Sequence, residues 1–330
     1  MAKILIIHTG DHLVFAERDR EILSRKYPTE TLGFTSIRQL PRLWQKMNNS
    51  DIVIFWFVGR AAIWAMMAPP RGKKIVAVVG GYEAANEPDI GYGSARSPIR
   101  RALVQRILNR SSKIVAVSDY MLKSIQNNYH VGPGVITLIH NAIDTEFFVP
   151  APAARREGFV MTVANPGAWQ NRIKRLDIVQ AVAEIMPEVQ FRIIGRVSDN
   201  VGRRFMSEAP QNLEFVGELS QNELRDQYRK AAVYFQPSRH ESFGVAVIEA
   251  MSCGCIPVVS PHGALPEVVG DAGFILDHLD PHRAADVLRQ ALRAPVEARE
   301  HARARVVQFF DTRMRAQKLY ELIADVMASS

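Results

Sequence analysis

Short runs of apolar, mostly β-branched residues recur along the first 140 residues, and they alternate with stretches in which apolar residues have helical spacing. Apolar runs of roughly four to eight residues between turn formers are typical of buried parallel strands. Strands that alternate with helices favour βαβ units, whose ligands bind at the carboxyl ends of the strands. The predicted strands are Ile4–Ile7, Ile52–Val58, Ile75–Val79, Ile114–Val117 and Val135–Ile139, and the predicted helices include Phe15–Arg25 and Ile99–Leu108.

The same alternation resumes after Pro150–Arg156, a segment rich in proline and alanine whose composition is typical of a linker. A chain of 330 residues is long enough for two α/β domains, each with its own core. The first helix of the second half is expected from about Ile173 to Met186. The predicted strands of this half are Phe159–Val163, Phe191–Gly195, Leu213–Gly217 and Ile256–Val259, and Val233–Gln236 leads into the stretch that begins at Pro237.

One segment, Ile52–Ala68, is almost uniformly apolar and nearly long enough to cross a membrane. A membrane-spanning helix needs about 20 consecutive apolar residues and avoids a charge at its centre. Arg60 stands in the middle of this segment, directly after Gly59. We therefore expect a strand, a turn at Val58–Gly59 and a helix that ends before Pro69, in place of a membrane span.

The net charge of +7 and the pI near 9.5 favour anionic partners, namely phosphates, acidic lipid surfaces or nucleic acid, without choosing among them. Cys253 and Cys255 are separated by one residue, a spacing that excludes a structural disulfide framework and, with no second Cys or His pair, a zinc site. Met1–Lys3 leads straight into the first apolar run, so we expect no secretory signal. These features favour a reducing, cytoplasmic setting.

The stretch from Pro237 to Ser260 begins as a polar loop, becomes a short helix predicted over Val245–Met251, and leaves as a strand. A loop that feeds a helix presents backbone N–H groups and the positive end of the helix dipole, which suits an anion. Glu241 stands at the mouth of this site, and Glu249 lies more than a turn inside the helix, where a carboxylate suits ribose hydroxyls. The alternative is a solvated loop glutamate and a surface helix glutamate.

The sequence HESFGVAVIEAMSCGCIPVV resembles the E-x7-E signature of retaining glycosyltransferases with the GT-B fold, in particular glycosyltransferase family 4. The resemblance includes the residues before the first glutamate and after the second. It implies that Glu249 holds the ribose of a nucleotide sugar and that Glu241 meets the donor sugar. It also implies that Ser242, Phe243 and Gly244 bind the donor, with the Phe243 and Gly244 amides near the diphosphate.

Two further motifs of the second half carry the same resemblance. Lys174-Arg175-Leu176-Asp177 is similar to the family's K-G-x-D, with Arg175 in place of the glycine, and it implies that Lys174 neutralises the donor diphosphate. A lysine at the predicted helix start opposes the helix dipole, which favours a functional role. Arg172 is the candidate for the family's second cation, because Trp169 occupies its usual position. Gly217 is implied to lie beside the nucleotide base.

The first half matches the family more loosely. Gly10 follows the first strand, where the family has a glycine-containing loop near the donor phosphate, and His12 is a candidate for the pocket edge. Tyr82 and Glu83 follow two glycines after the third strand and are candidates for the acceptor or sugar side. Many family members have a histidine near this point, and this chain has none, so no catalytic histidine is assigned.

The resemblance implies an α/β fold with two Rossmann-like, doubly wound parallel-sheet domains facing across a cleft. Residues 1–150 are expected to form the acceptor-side domain, residues 151–312 the nucleotide-sugar domain, and residues 313–330 a helix that crosses back to the first domain. The sequence contains no D-x-D diphosphate clamp. We therefore expect no metal and no cofactor, since cationic side chains and a helix dipole can take the place of the metal.

The implied reaction is metal-independent transfer of a sugar from a UDP-, GDP- or ADP-sugar to a carbohydrate, lipid-linked or small-molecule acceptor, with retention of anomeric configuration. The alternatives are a GT-B-type sugar-nucleotide epimerase or phosphorylase, a glycosidase that uses the two glutamates, and a non-catalytic sugar-nucleotide-binding protein. The arginine-rich region from Arg96 to Arg110 suggests docking on an anionic membrane, at the inner face of the cell membrane, or an ordinary solvated helix face. No nucleic acid is expected.

Overall fold

The computed structural model describes residues 2–9, 13–67, 72–151 and 157–328 of the chain. The chain divides into two compact units, one formed by Met1–His140 with Arg313–Ser330 and the other by Asn141–Thr312. Each unit has its own parallel sheet flanked by helices. This is the predicted α/β class with two doubly wound sheets.

The first unit contains a sheet of six parallel strands in the order β2-β1-β3-β4-β5-β6. Five of these strands are predicted by the apolar runs of the sequence, and β1 and β3 are buried along their whole length. The sixth, β2, has the sequence TETLG and only one buried residue, which is why apolar patterning does not find this edge strand. The strands are β1 Ile4–His8, β2 Thr29–Gly33, β3 Ile52–Trp56, β4 Lys74–Val79, β5 Lys113–Ala116 and β6 Ile136–Leu138.

The helices of the first unit settle the question of the apolar segment. Strand β3 is followed by a turn, and Gly59 is the N-cap of a six-residue helix, so the predicted strand, turn and helix are confirmed. Within the described ranges, no helix combines the length and the apolar character needed to cross a bilayer. The helices are α1 Leu13–Ser24, α2 Leu40–Asn48, α3 Arg60–Ala65, α4 Pro98–Leu108 and α5 Asp119–Asn128.

The second unit contains a sheet of six parallel strands in the order β12-β11-β10-β7-β8-β9. The bounds of β9 and β11 are those predicted from the sequence. The two-residue edge strand β12 is too short to be predicted from an apolar run. The strands are β7 Val160–Val163, β8 Phe191–Ile194, β9 Leu213–Gly217, β10 Val233–Gln236, β11 Ile256–Val259 and β12 Phe274–Ile275.

Helices cover both faces of this second sheet, and the apolar side chains of β7, β8, β10 and β11 form its core with them. Cys253 and Cys255 are both buried at the end of one helix and are not joined in a disulfide. The helices are α6 Ala168–Lys174, α7 Leu176–Ile185, α8 Asn200–Ser207, α9 Gln221–Lys230, α10 Val245–Ser252, α11 Leu265–Val269, α12 Pro281–Leu292 and α13 Val296–Phe309.

The helix predicted over residues 173–186 begins at the wrong residue. The chain forms α6, breaks at Arg175 and continues as α7. Arg175 adopts the left-handed conformation, with φ 51° and ψ 51°, at the position where the family motif has glycine. A non-glycine residue in this region costs about 1–2 kcal/mol. Lys174 therefore lies at the end of α6, where its charge suits the dipole, and the argument from a helix start does not hold.

The last helix, α14 (Thr312–Ala328), packs within the first unit from Arg313 onward. The guanidinium of Arg315 donates to both carboxylate oxygens of Asp19 at 2.7 and 2.8 Å, and the indole of Trp56 donates to the same carboxylate at 2.7 Å. Asp19 and Arg315 are both almost fully buried. Each of these two buried charges therefore has a partner of opposite charge, which such burial requires.

Candidate functional site

The N-terminus of α10 is partly exposed at its first turn. Gly244 is its N-cap and has φ 101°, a left-handed conformation that favours glycine. Because glycine has no side chain, the N-cap residue itself makes no capping hydrogen bond to this helix end. The ring of Phe243 is buried and packs edge-on against Phe310, with the ring centroids 5.4 Å apart. This contact fixes the backbone that leads into the helix, and half-buried Val245 and Ala246 form its first turn.

The loop before α10 holds Glu241 in an ion pair with Lys174. The ammonium nitrogen of Lys174 lies 2.5 Å from Oε2 of Glu241, and both side chains are about four-fifths buried. The backbone around this glutamate is tightly packed, because a Cβ on Gly263 would lie 2.2 Å from the carbonyl oxygen of Glu241. The N–H of Ala264 donates to that same carbonyl at 2.8 Å. Glu241 is thus a fixed, paired carboxylate, and its interpretation as a solvated loop residue is wrong.

A second side chain, Gln236 at the end of β10, also binds Glu241. Its Nε2 donates to Oε2 of Glu241 at 2.8 Å and to the hydroxyl of Ser238 at 3.0 Å. Its Oε1 accepts from the hydroxyl of Tyr234 at 2.7 Å. Sequence reasoning missed Gln236, because it occupies the last position of an otherwise apolar strand. Its polarity at an almost fully buried position, next to the loop of Glu241, was the available signal.

Glu249 is buried inside α10, with 8% of the residue exposed, so its interpretation as a surface helix residue is wrong. Its Oε2 accepts from the hydroxyl of Tyr228 at 3.2 Å. Burial raises the pKa of Tyr228 well above its ordinary value, and the nearby charge of Glu249 raises this pKa further. Burial likewise raises the pKa of Tyr234, with further increases from the charges of Glu241 and Glu249. Both signature carboxylates therefore lie within electrostatic reach of one buried phenol.

Helix α6 places Lys174 beside this loop. Asp199 accepts from the N–H of Ala168 at 3.0 Å at the start of the helix, and the N–H of Arg239 donates to the carbonyl of Ile173 at 2.7 Å at its end. The second contact joins the helix that carries Lys174 to the loop that carries Glu241. Arg172 lies on the same helix with an exposed side chain, so its role as a second cation stays a prediction.

The remaining residues predicted to bind the donor differ in their surroundings. Gly217 ends β9 with φ 88°, and no atom lies within 4 Å of the Cβ that a side chain would add, so its surroundings are open. The hydroxyl of Ser242 lies 3.3 Å from Nε2 of the buried His240. Gly10 and His12 lie outside the described residues. The donor contacts of Gly217 and Ser242 stay predictions.

Tyr82 and Glu83 lie in the first unit and differ in exposure. Tyr82 is more than a third exposed and accepts a hydrogen bond from Arg100 at 2.8 Å. Glu83 is 3% exposed, and its Oε1 accepts from the N–H of Gly80 at 2.8 Å and of Val58 at 3.4 Å. Burial raises the pKa of Glu83. Their contact with an acceptor or sugar stays a prediction.

These groups combine one cation, one paired carboxylate and one partly exposed helix N-terminus in the second unit. Such an arrangement can bind a diphosphate, because the ammonium group and the helix end both favour negative charge. The hydroxyls of a sugar can be held by the carboxylate of Glu241. Within the described ranges, no cluster of three or more His, Cys, Asp or Glu residues is placed to hold a metal ion.

The two halves of the chain match two family models. Residues 4–147 match the model described as Glycosyltransferase Family 4, and residues 156–307 match the model described as Glycosyl transferases group 1. Together with the two parallel sheets, these matches support a glycosyltransferase of the GT-B type and of the family 4 kind.

Curated relatives are similar at low identity. The D-inositol 3-phosphate glycosyltransferase of Mycolicibacterium gilvum is 25% identical over 290 residues, which cover 81% of this chain and 64% of that protein. The gpi3 subunit of the phosphatidylinositol N-acetylglucosaminyltransferase of Schizosaccharomyces pombe is 25% identical over 54% of this chain and 40% of its own length. The chain thus spans less than two thirds of the length of these relatives.

Solved structures share the fold over nearly the whole chain. The sucrose-phosphate synthase of Thermosynechococcus elongatus has a TM-score of 0.81 and 16% identity, with 100% of both chains covered. HepE of Anabaena, solved in complex with UDP and glucose, has a TM-score of 0.76 and 16% identity over 98% of this chain and 100% of that one. These likenesses establish the GT-B fold.

Proposed function

We propose that this protein transfers a sugar from a nucleotide-sugar donor to an acceptor hydroxyl, with retention of anomeric configuration and without a metal ion. The observation that carries the proposal is the ion pair of Lys174 and Glu241 beside the partly exposed N-terminus of α10. This arrangement offers positive charge to a leaving diphosphate and a carboxylate to the donor sugar.

In this proposal the chemistry is mainly charge stabilisation. As the glycosidic bond to the diphosphate breaks, negative charge develops on the leaving phosphate oxygen. Lys174 and the N–H groups at the start of α10 stabilise that charge, because they are already oriented before the reaction. The acceptor hydroxyl attacks from the side that the diphosphate leaves, so the product keeps the anomeric configuration of the donor, and the acceptor proton passes to the departing diphosphate.

We propose that the donor is a UDP-sugar, with the ribose held by Glu249. The solved complex of HepE with UDP and glucose, a protein of the same fold, supports this choice of nucleotide. The acceptor panel should contain inositol phosphate, because a relative is named D-inositol 3-phosphate glycosyltransferase. It should also contain lipid-linked and small carbohydrate acceptors, since the relatives are only distantly similar.

The first test is the thermal unfolding of the protein with UDP, GDP, ADP and TDP. A ligand at a hundred times its dissociation constant adds about 2.7 kcal/mol to the free energy of unfolding. We expect UDP to raise the melting temperature by several degrees and Glu249→Gln to lose most of this shift. Glu184→Gln, an exposed glutamate on α7, is the matched control and should keep it.

The second test separates the rival activities. We expect incubation with a UDP-sugar and the acceptor panel to yield a product with a new glycosidic bond, whose anomeric configuration is read by NMR. Nucleotide binding without any product would favour a sugar-nucleotide-binding protein. A sugar phosphate or an isomerised donor would favour a phosphorylase or an epimerase. No melting shift with any of the four nucleotides would contradict the proposal itself.

A further inference from the structure

The region around α4 combines a strong positive charge with exposed apolar side chains. Residues 90–118 contain six basic and no acidic residues, and this surplus is nearly the whole net charge of +7. Arg100, Arg101 and Arg106 of α4 are all exposed. Helix α4 itself therefore carries three exposed arginines and no acidic residue.

The apolar side chains of this region are unusually open to water. Ile99 is 75% exposed, Leu103 is 38% exposed, and Met67 after α3 is 68% exposed. Ile99 and Leu103 are four residues apart on α4 and therefore lie on the same side of the helix. Single exposed apolar residues are common, but a group of them beside a groove marks an interaction surface.

Two grooves border α4. One, with a volume of about 480 Å³, is lined by Ile63, Trp64, Met67 and Leu103, with Arg106 at its edge. The other, of about 450 Å³, is lined by Arg96, Arg101, Gln105 and His130 together with the small apolar residues Ala95, Pro98 and Ala102. The helix therefore separates an apolar groove from a groove that suits phosphate.

We propose that α4 and the end of α3 bind the surface of a membrane that contains anionic phospholipids. In this arrangement Ile99, Leu103 and Met67 enter the boundary between head groups and acyl chains, and the arginines bind lipid phosphates. The charge is complementary to such a surface. The apolar residues favour a membrane over nucleic acid, because a phosphate backbone would engage the arginines and leave these side chains in water.

The test is co-sedimentation of the full chain with vesicles of phosphatidylcholine alone or mixed with phosphatidylglycerol. We expect binding to the mixed vesicles only, with weaker binding at high salt. Each arginine near an anionic surface contributes roughly a fivefold increase in affinity, so Arg100→Gln, Arg101→Gln and Arg106→Gln together should reduce binding roughly 100-fold. Ile99→Ser with Leu103→Ser should also weaken it, and both positions are exposed enough to leave folding intact.

The matched control variant also removes three positive charges, but at positions outside the region around α4. Arg38, Arg203 and Arg293 are exposed and lie outside this region, so their triple change to Gln should leave vesicle binding nearly unchanged. Equal losses in the two triple variants would show a net-charge effect and would overturn the proposal. So would binding to phosphatidylcholine alone, or binding to nucleic acid that Ile99→Ser with Leu103→Ser does not weaken.

A second inference concerns Gln236 and rests on the proposed function. The N–H of Val163 donates to the hydroxyl of Tyr234 at 3.4 Å, so that hydroxyl donates its own proton to Oε1 of Gln236. The amide of Gln236 is thereby oriented with Nε2 toward Glu241. This chain of hydrogen bonds begins at the end of β7 and sets the position of the Glu241 carboxylate.

We infer that Gln236 is a positioning residue that holds Glu241 in place when a donor binds. Glu241 now has two donors, Lys174 and Gln236. A diphosphate would compete with Glu241 for the ammonium group of Lys174. Gln236 cannot turn away in the same manner, because Tyr234 fixes its amide, and so Glu241 keeps one donor and remains directed toward the sugar.

The experiment compares the affinities of UDP and a UDP-sugar for the protein and for Gln236→Leu. Because the lost hydrogen bond acts on a charged group that meets only the sugar, UDP affinity should stay the same and UDP-sugar affinity should fall roughly tenfold. The double variant Tyr234→Phe with Gln236→Leu removes both partners of the hydrogen bond between these two side chains. No buried hydroxyl is then left unpaired, so this variant should still fold. An equal loss for both ligands, or no loss, would overturn the inference. Failure of the unchanged protein to bind UDP would contradict the proposed function instead.

Discussion

Glu83 shows how burial changes what a carboxyl group does to stability. It is almost inaccessible, its carboxylate accepts from the backbone N–H groups of Gly80 and Val58, and burial raises its pKa above the ordinary value of 4.5. The unfolded chain loses this proton at lower pH than the folded one. The extra stability of the protonated carboxyl is therefore complete below about pH 4.5 and is lost as the pH rises through the folded pKa.

We expect Glu83→Gln to unfold at a higher temperature than the unchanged protein at neutral pH, because the amide oxygen can accept the same N–H groups without a buried charge. Each unit by which the pKa is raised corresponds to about 1.4 kcal/mol. The difference should shrink towards pH 4, as measured by thermal unfolding across this range. Glu300→Gln, an exposed control, should show no such trend. A variant less stable at every pH would contradict this account.

At the scale of elements, the pattern of apolar residues predicted the strands whose residues are buried. β11 is buried along its whole length and was predicted to the residue, whereas β2, with one buried residue, and β12, with only two residues, were missed. The break between α6 and α7 was also missed, because Arg175 gives no signal of a left-handed conformation.

The residues of the candidate site, like the strands, could be predicted only in part. Lys174, Glu241 and Glu249 could be predicted because a family motif carries them, and the structure gives each of them a specific partner or a buried position. Gln236 and Gly263 support the site through their contacts with Glu241. The elements that carry these residues are distant from α6 in the sequence and lie near it only in space. No local pattern records such contacts, so the support of the site had to come from the structure.

At the scale of the whole molecule, the second unit is one continuous segment, Asn141–Thr312. It has its own six-stranded sheet and its own core. Lys174, Glu241 and Glu249 all lie within it. The first unit, in contrast, is assembled from two separate parts of the chain. A continuous segment with a core of its own is able to fold alone.

We therefore expect residues 141–312, expressed alone, to fold cooperatively and to bind UDP within roughly tenfold of the affinity of the full chain, since a tenfold change is only about 1.4 kcal/mol. Circular dichroism and thermal unfolding check the fold, and titration calorimetry checks the binding. The same segment with Glu249→Gln is the matched control and should fold but bind UDP weakly. A folded segment that fails to bind UDP, beside a full chain that binds it, would show that the nucleotide needs residues of the first unit. It would then be wrong to place the donor site in the second unit alone.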